Sequence, residues 1–411
     1  MHHLRDLSTF IFVQFKKLNE GGRGFILVAI SMGWFLSIGV RNIYPVLIPY
    51  LRDSFSMSLT VSGLLFALLW LAYALGQFPG GVLVDRIGGR NILVISTGVS
   101  LLTLFILISA FNIWMLFIAT ILFGLATALY GPARFTVLYD IYDHNDGLAI
   151  GITLAAGNIG NAVLPVIAGI LAAYFVWQAG IVYVIPLFII TIYIMWVKIP
   201  KKTVHENKPS QKSRGTVTQL QRIVGAALQP RILIITLILL INTFIIQGFT
   251  AFYPTYLMDV KGISPTLATL LFGLFFTTGI IVQPISGVGN DNFSPSLTIA
   301  MFVGCIVVGL FFLPFFNSIY NIIAVTILLS ALMGTPPTAT SQLVHLLPDE
   351  IKGSGLGLLR TLYMLVASTG SIFIGFLADL NYFDEAFIAL GIIALFALSL
   401  ALTYYWIYEK I

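Results

Sequence analysis

Gly81-Val-Leu-Val-Asp85-Arg86-Ile-Gly88-Gly-Arg90 is the stretch on which the fold turns. Its leading part occurs twice, together with Gln77 just ahead of it: Gln77, Gly81 and Asp85 return as Gln283, Gly287 and Asp291, each 206 residues later in a chain of 411. The repeat unit is therefore half the protein. The chain is 58% hydrophobic and 9% charged, against roughly 25% charged in an ordinary soluble domain. A duplicated bundle of membrane helices is the architecture this combination predicts.

A bilayer core about 30 Å thick takes roughly 20 residues of helix at about 1.5 Å each. Twelve apolar stretches reach that length: 25–50, 59–82, 91–111, 113–138, 148–174, 177–198, 232–257, 265–288, 296–316, 320–346, 354–379 and 384–408. Six precede the polar, basic segment 199–231 and six follow it, so the expected division is a first half 1–198, a linker 199–231 and a second half 232–411. Short connections elsewhere make sequential helices antiparallel neighbours. The mixed first 22 residues do not read as a cleavable signal. The lone Cys305 excludes a disulfide framework and a cysteine-based metal site.

With both termini on the cytoplasmic side, 16 of the 21 Lys and Arg fall in inside segments, and only Arg52 and Lys261 fall outside. That imbalance fixes the expected orientation, in a plasma or inner membrane. The net charge of +5 is spread between spans rather than gathered in a patch, so nucleic acid is not an expected partner.

The loop itself has a physical reading. Gly81, one turn before Asp85, lets the second span approach a neighbour closely. Gly88 and Gly89 permit a tight turn. Asp85 at a helix end suits the positive N-terminus of a facing helix. By pseudo-symmetry that helix is the eleventh, starting near Gly353 and Ser354, while Asp291 would face the fifth, starting near Gly147. Gly147 and Gly151 recur as Gly353 and Gly357 at the same offset.

The loop also closely resembles the signature Gly-x-x-x-Asp-Arg-x-Gly-x-Arg of the major facilitator superfamily. The second copy departs from it, with Asn292 and Ser294 in place of the Arg and Gly. The resemblance implies an all-α membrane protein of twelve helices in two pseudo-symmetric bundles that carries a solute by rocking about a central site. It makes Gly81, Asp85, Arg86, Gly88, Arg90, Asp140, Gly287 and Asp291 gating residues, and it implies that Arg90 pairs with Asp140.

Arg41 is the sharpest candidate for solute binding. It lies about two-thirds along the first span, where an arginine costs roughly 2.5–3.5 kcal/mol on insertion scales and therefore faces a cavity or a partner. No acidic residue lies deep in any span to neutralise it. An unpaired guanidinium is a planar fork suited to carboxylate or phosphate. The run from Arg41 to Pro49 is similar to the first helix of organic-anion and organophosphate carriers of the superfamily, in which that arginine contacts the anion. Its symmetry mate is Gln247 rather than a second arginine. Tyr44, three residues on, is expected to share the face of Arg41, and Arg360 would line the cavity from the second half or pair with Asp85. Arg134 reads as an interfacial anchor or a partner of Asp140.

In the fifth span, Gly157, Asn161, Pro165 and Gly169 form a stripe of period four that suits close packing. Asn158 belongs to a Gly-Asn-x-Gly run resembling part of the nitrate porter signature, although the second span lacks the arginine those porters use. Gly131-Pro132 and Pro336-Pro337 suggest matched broken helices in the fourth and tenth spans. No phosphate-cradling loop, nucleophile–base set or metal-ligand spacing is present, so an enzyme is not expected and no cofactor or metal is implied.

The reading is a carrier, expected to be a monomer, for a small solute, best an organic anion held by Arg41, with Tyr44, Gln247, Asn158 and Arg360 around it. The alternatives are a multidrug or hydrophobic-compound efflux carrier, a lipid flippase and a transport-dead receptor. Symport, antiport and uniport stay open, as does a coupling ion, H+ or Na+.

Overall fold

The computed structural model describes residues 23–142, 146–200, 225–348 and 351–410, with the backbone alone at 291, 353 and 354. The expected contacts of Asp291, of the 353–354 helix start and of the 201–224 part of the linker therefore lie outside the described residues.

Twelve helices are long and apolar enough to cross a membrane: α1 Arg23–Phe55, α2 Leu59–Ile87, α3 Gly89–Ile108, α4 Ile113–Ile141, α5 Asp146–Tyr174, α6 Ala179–Lys198, α7 Pro230–Asp259, α8 Pro265–Asn290, α9 Pro295–Phe315, α10 Ile319–Leu346, α11 Gly355–Asp379 and α12 Phe383–Glu409. No strand occurs among the described residues. The largest departures from the sequence boundaries are at Phe55 and Ile87. There the helix runs past its apolar stretch through Arg52 and Asp53, and through Asp85 and Arg86, which hydropathy counts as loop.

Four spans are interrupted, α6 among them, by a turn at Tyr183 and Val184 ahead of Pro186. α1 breaks at Asn42 into Arg23–Arg41 and Ile43–Phe55. Pro45 has no N–H for the carbonyl of Arg41, and its ring crowds that carbonyl. α10 tightens to a 3-10 turn over Ser330–Met333 and restarts at Thr335, with proline in its first turn. α11 breaks after Ala367 and resumes at Gly370. The fourth span does not match the tenth, since α4 stays helical through Pro132.

Within the first half, α1 packs on α5, and both α2 and α3 pack on α4. Across the halves, α5 meets α8, α2 meets α11, and the second segment of α1 meets α7. Small residues set the closeness of the α2–α11 crossing: a Cβ on Gly63 would sit 2.4 Å from the Ser371 carbonyl oxygen.

The bundle has two unlike ends. The end bearing the Gly81–Arg90 loop and the flanks of the basic segment is here termed the basic end, and the opposite one the far end. At the far end the halves are tied together. Asp379 closes α11 by accepting hydrogen bonds from the Leu59 and Thr60 amides, each at 2.8 Å, and from Thr60 Oγ1 at 2.5 Å. Arg52 pairs with Asp259 at 2.7 Å, and Ser371 Oγ donates to the Gly63 carbonyl at 2.8 Å. Midway along, Asn158 donates to Gln283 at 2.9 Å. At the basic end the helices part. Gly81, Gly147, Gly151, Gly287 and Gly357 all face open space, with nothing within 4 Å of a Cβ built on them. Asp85 and Arg86 are exposed.

Candidate functional site

Arg41 ends the first segment of α1 and is wholly buried, at 0% exposure. Helical side chains lean toward the helix N-terminus. Accordingly Arg41 Nε reaches back to donate to the Ser37 carbonyl at 3.0 Å, and the guanidinium points toward the basic end. Its carbon lies 3.7 Å from the ring centre of Tyr73, 4.9 Å from that of Trp70 and 5.8 Å from that of Trp34. Nη1 and Nη2 have no hydrogen-bond partner.

A second arginine shares the same aromatic wall. Arg134 of α4, also buried, stands 3.4 Å from the Trp34 ring centre and 4.4 Å from that of Phe135, with Nε and Nη1 unpartnered. Trp34 is held from behind by stacking on Tyr130, whose hydroxyl donates to the Ile30 carbonyl at 2.7 Å. Gly157 of α5 makes room for it, since a Cβ there would meet Trp34 Nε1 at 2.2 Å. Arg134 thus belongs to the Arg41 cluster and is not the interfacial anchor its position suggests.

The third arginine comes from the other half. Arg360 sits eight residues into its helix, about 12 Å deep, and is exposed to the space between the halves. Its charge acts on Arg41, Arg134 and Tyr73. No carboxylate among the described residues acts on Arg41 or Arg134.

Buried polar atoms are almost always hydrogen-bonded, so orphans mark where a ligand belongs. The orphans on this wall are Arg41 Nη1 and Nη2, Arg134 Nε and Nη1, Trp70 Nε1 and Ser37 Oγ. All but the Ser37 hydroxyl are donors with no accepting capacity. Rings facing a guanidinium favour the cation by about 0.5–2 kcal/mol, yet they cancel no charge. The arrangement is chemically suited to a group that only accepts, such as a carboxylate or phosphate.

Other expected residues fall elsewhere. Tyr44 does not join Arg41: it is buried in the core of the first half beside Thr120. The break at Asn42 voids the three-residue spacing rule on which that expectation rested. Asn158 is bonded to Gln283, so it serves as a tie between α5 and α8. Gln247 is buried midway along α7, without a hydrogen bond to another described residue. Asn161 accepts from Asn42 at 2.8 Å and splints the break in α1.

The loop residues are partly as expected. Gly88 adopts φ 85°, the left-handed turn a glycine allows. Arg90 does not bond to Asp140: its Nη2 donates to the Trp196 carbonyl, its Nε and Nη1 are unpartnered, and the guanidinium lies over the Trp196 ring. The cause is electrostatic, since Trp196 lies in the last turn of α6, where free carbonyls attract a cation. Asp85 makes no hydrogen bond to a described residue in this arrangement.

Trp70 and Tyr73 were not legible as site residues. Their three-residue spacing puts them on one face of α2, but a span this rich in aromatics offers many such pairs.

Residues 29–367 match the family model described as Major Facilitator Superfamily. Among curated relatives, the chain is 25% identical over 259 residues to a hexuronate transporter of Bacillus subtilis, covering 61% of this chain and 60% of that one. It is 24% identical over 269 residues to a probable nitrate transporter, NarT, of Staphylococcus epidermidis, covering 65% of each. The chain thus spans less than two-thirds of either relative's length. Of solved structures, a bacterial homolog of the human lysosomal transporter Spinster, inward-facing and unoccupied, aligns with TM-score 0.78 at 14% identity, covering 94% of this chain and 97% of that one. The nucleoside transporter NupG aligns with TM-score 0.79 at 10% identity, covering 92% and 99%. At such identities these two show the fold alone.

Proposed function

The chain belongs to the major facilitator superfamily, and from that premise we propose that this transporter carries a small organic anion bound by Arg41. The carrying observation is a fully buried guanidinium with two free nitrogens and no carboxylate beside it among the described residues. The distribution of Lys and Arg supports placing the basic end in the cytoplasm, with both termini there and the protein in a plasma or inner membrane. The arrangement described is then open to the cytoplasm and sealed outside. Transport follows when the basic end closes, the far-end ties release, and the anion is presented to the other face.

Efflux of lipophilic cations fits poorly, because clustered arginines repel a cation. Two of the relatives are named for an anion, hexuronate or nitrate, while another, the multidrug resistance protein MdtG, is not, so the anion reading rests on the arginines.

The test is uptake into proteoliposomes holding the purified protein, with a hexuronate and nitrate as first probes. Arg41→Ala is expected to lower uptake by about a hundredfold or more, as two charged hydrogen bonds of roughly 1.5–3 kcal/mol each are lost. Helix content should be unchanged by circular dichroism. Arg41→Lys keeps the charge without the fork and should restore only part of the uptake. Undiminished anion uptake by the well-folded Ala variant would overturn the assignment.

A further inference from the structure

We infer that the site takes a doubly charged small anion, one charge held by Arg41 and Arg134 in the first half and the second read by Arg360 across the cavity. The inference rests on the anion site proposed above and names its substrate class.

Three observations converge. Arg41 and Arg134 are both more than nine-tenths buried, share the Trp34 ring, and have nitrogens that complete no hydrogen bond of good geometry. The Tyr73 hydroxyl is the one side-chain acceptor acting on Arg41 among the described residues. Arg360 lies at the depth of Arg134: each is seven or eight residues from the basic end of its helix, about 10–12 Å in. It projects from α11, which crosses the halves to pack on α2, the helix that carries Trp70 and Tyr73. With no carboxylate among the described residues acting on Arg41 or Arg134, the solute is the source of negative charge for that pair.

Charge arithmetic decides between one and two negative charges. A monoanion would satisfy the fork of Arg41 and leave two like charges facing each other. In the open arrangement water screens Arg360, which is exposed. When the halves close around the solute that water leaves, and repulsion between unneutralised arginines grows as the local dielectric falls. A dianion spanning the gap offsets that repulsion and pulls α11 toward the first half. The position equivalent to Arg360 in the first half is Leu154, again 206 residues away, so the second charge is read from one side only. A dicarboxylate and a phosphate monoester share this chemistry.

The test uses matched probes that differ by one charge: succinate against monomethyl succinate, and ethyl phosphate against diethyl phosphate. Each is titrated into the purified full-length protein, with thermal stabilisation read in detergent at millimolar ligand. The wild type should favour the dianion of at least one pair by about tenfold or more, the effect of one further charged hydrogen bond. Which pair responds tells carboxylate from phosphate. Arg360→Gln, at an exposed position that should not disturb folding, is expected to erase the preference while monoanion binding persists. Arg360→Lys should keep part of it.

A phosphate monoester loses its second charge near about pH 6. If ethyl phosphate is the better probe, its wild-type affinity should fall as pH drops through that value, and the fall should flatten in Arg360→Gln. A purely structural role for Arg360 would not move that profile. Equal stabilisation by both members of both pairs, or none by any probe, overturns the inference. So does a dianion preference that survives Arg360→Gln. Anion stabilisation that survives Arg41→Gln would instead sink the underlying anion site, so the two failures are distinguishable.

Discussion

Arg134 stands six residues before Asp140, and closeness in sequence hides its role. Six steps of about 100° bring the two to widely separated faces of one helix, so α4 presents Arg134 to Trp34 instead. Arg41, by contrast, was legible from depth alone, because a charge far inside an apolar span demands a partner wherever the helix faces. Tyr44 failed through a local cause that the sequence did carry. Pro45 cancels the hydrogen bond to the Arg41 carbonyl, and no periodicity runs through the resulting break. Gly157 tests the aromatic wall at this scale. A methyl there meets Trp34 Nε1 at 2.2 Å, and overpacking costs roughly 1–3 kcal/mol. Gly157→Ala is expected to displace the ring from Arg134 and weaken anion binding about tenfold in a tryptophan-fluorescence titration. Unchanged affinity would show that Trp34 does not hold the guanidinium for the solute.

Between elements, the two halves repeat a joint with its charge reversed. Arg90 starts α3 and Ser296 starts α9, 206 residues later. Arg90 donates to the Trp196 carbonyl at the end of α6. Ser296 instead receives the end of α12, its amide and hydroxyl donating to the Glu409 carboxylate at 3.2 and 3.0 Å, with Gln342 adding a third bond at 2.8 Å. Each half thereby ties the start of its third span to the end of its sixth. The twelve spans and their order were readable because hydropathy and length are local properties. The partner of Arg90 was not, because it lies 106 residues away and the family signature points to Asp140. Arg90→Ala should loosen α3 from α6 and cost about 1–2 kcal/mol, seen as a lower denaturation midpoint. Anion selectivity should not change; a change would move Arg90 from the scaffold into the site.

At the level of the whole molecule, α2 and α11 meet across the halves with a carboxylate at opposite ends. Asp379, ending α11, holds the amides that start α2. Asp85, near the end of α2, is exposed at the parted basic end, on the side where α11 begins. The sequence repeat singled out Asp85 but not Asp379, whose partner Leu59 is 320 residues distant. Nor could composition tell which end is closed, since the two packings of such a carrier differ by only a few kcal/mol. A helix N-terminus favours a nearby carboxylate by about 0.3–1 kcal/mol, and up to roughly 2 kcal/mol in partly buried geometry. Loss of the Asp379 charge should therefore shift the balance several-fold toward closure of the basic end. A cysteine introduced by Gly357→Cys on a Cys305→Ser background reports that opening, because Gly357 faces open space. Asp379→Asn is expected to slow its modification by a membrane-impermeant thiol reagent several-fold, while Asp85→Asn leaves it as fast or faster. Faster labelling in Asp379→Asn would mean that the far-end carboxylate does not hold the basic end open, and that the seal there rests on the α2–α11 crossing at Gly63 and Ser371 and on the Arg52–Asp259 pair.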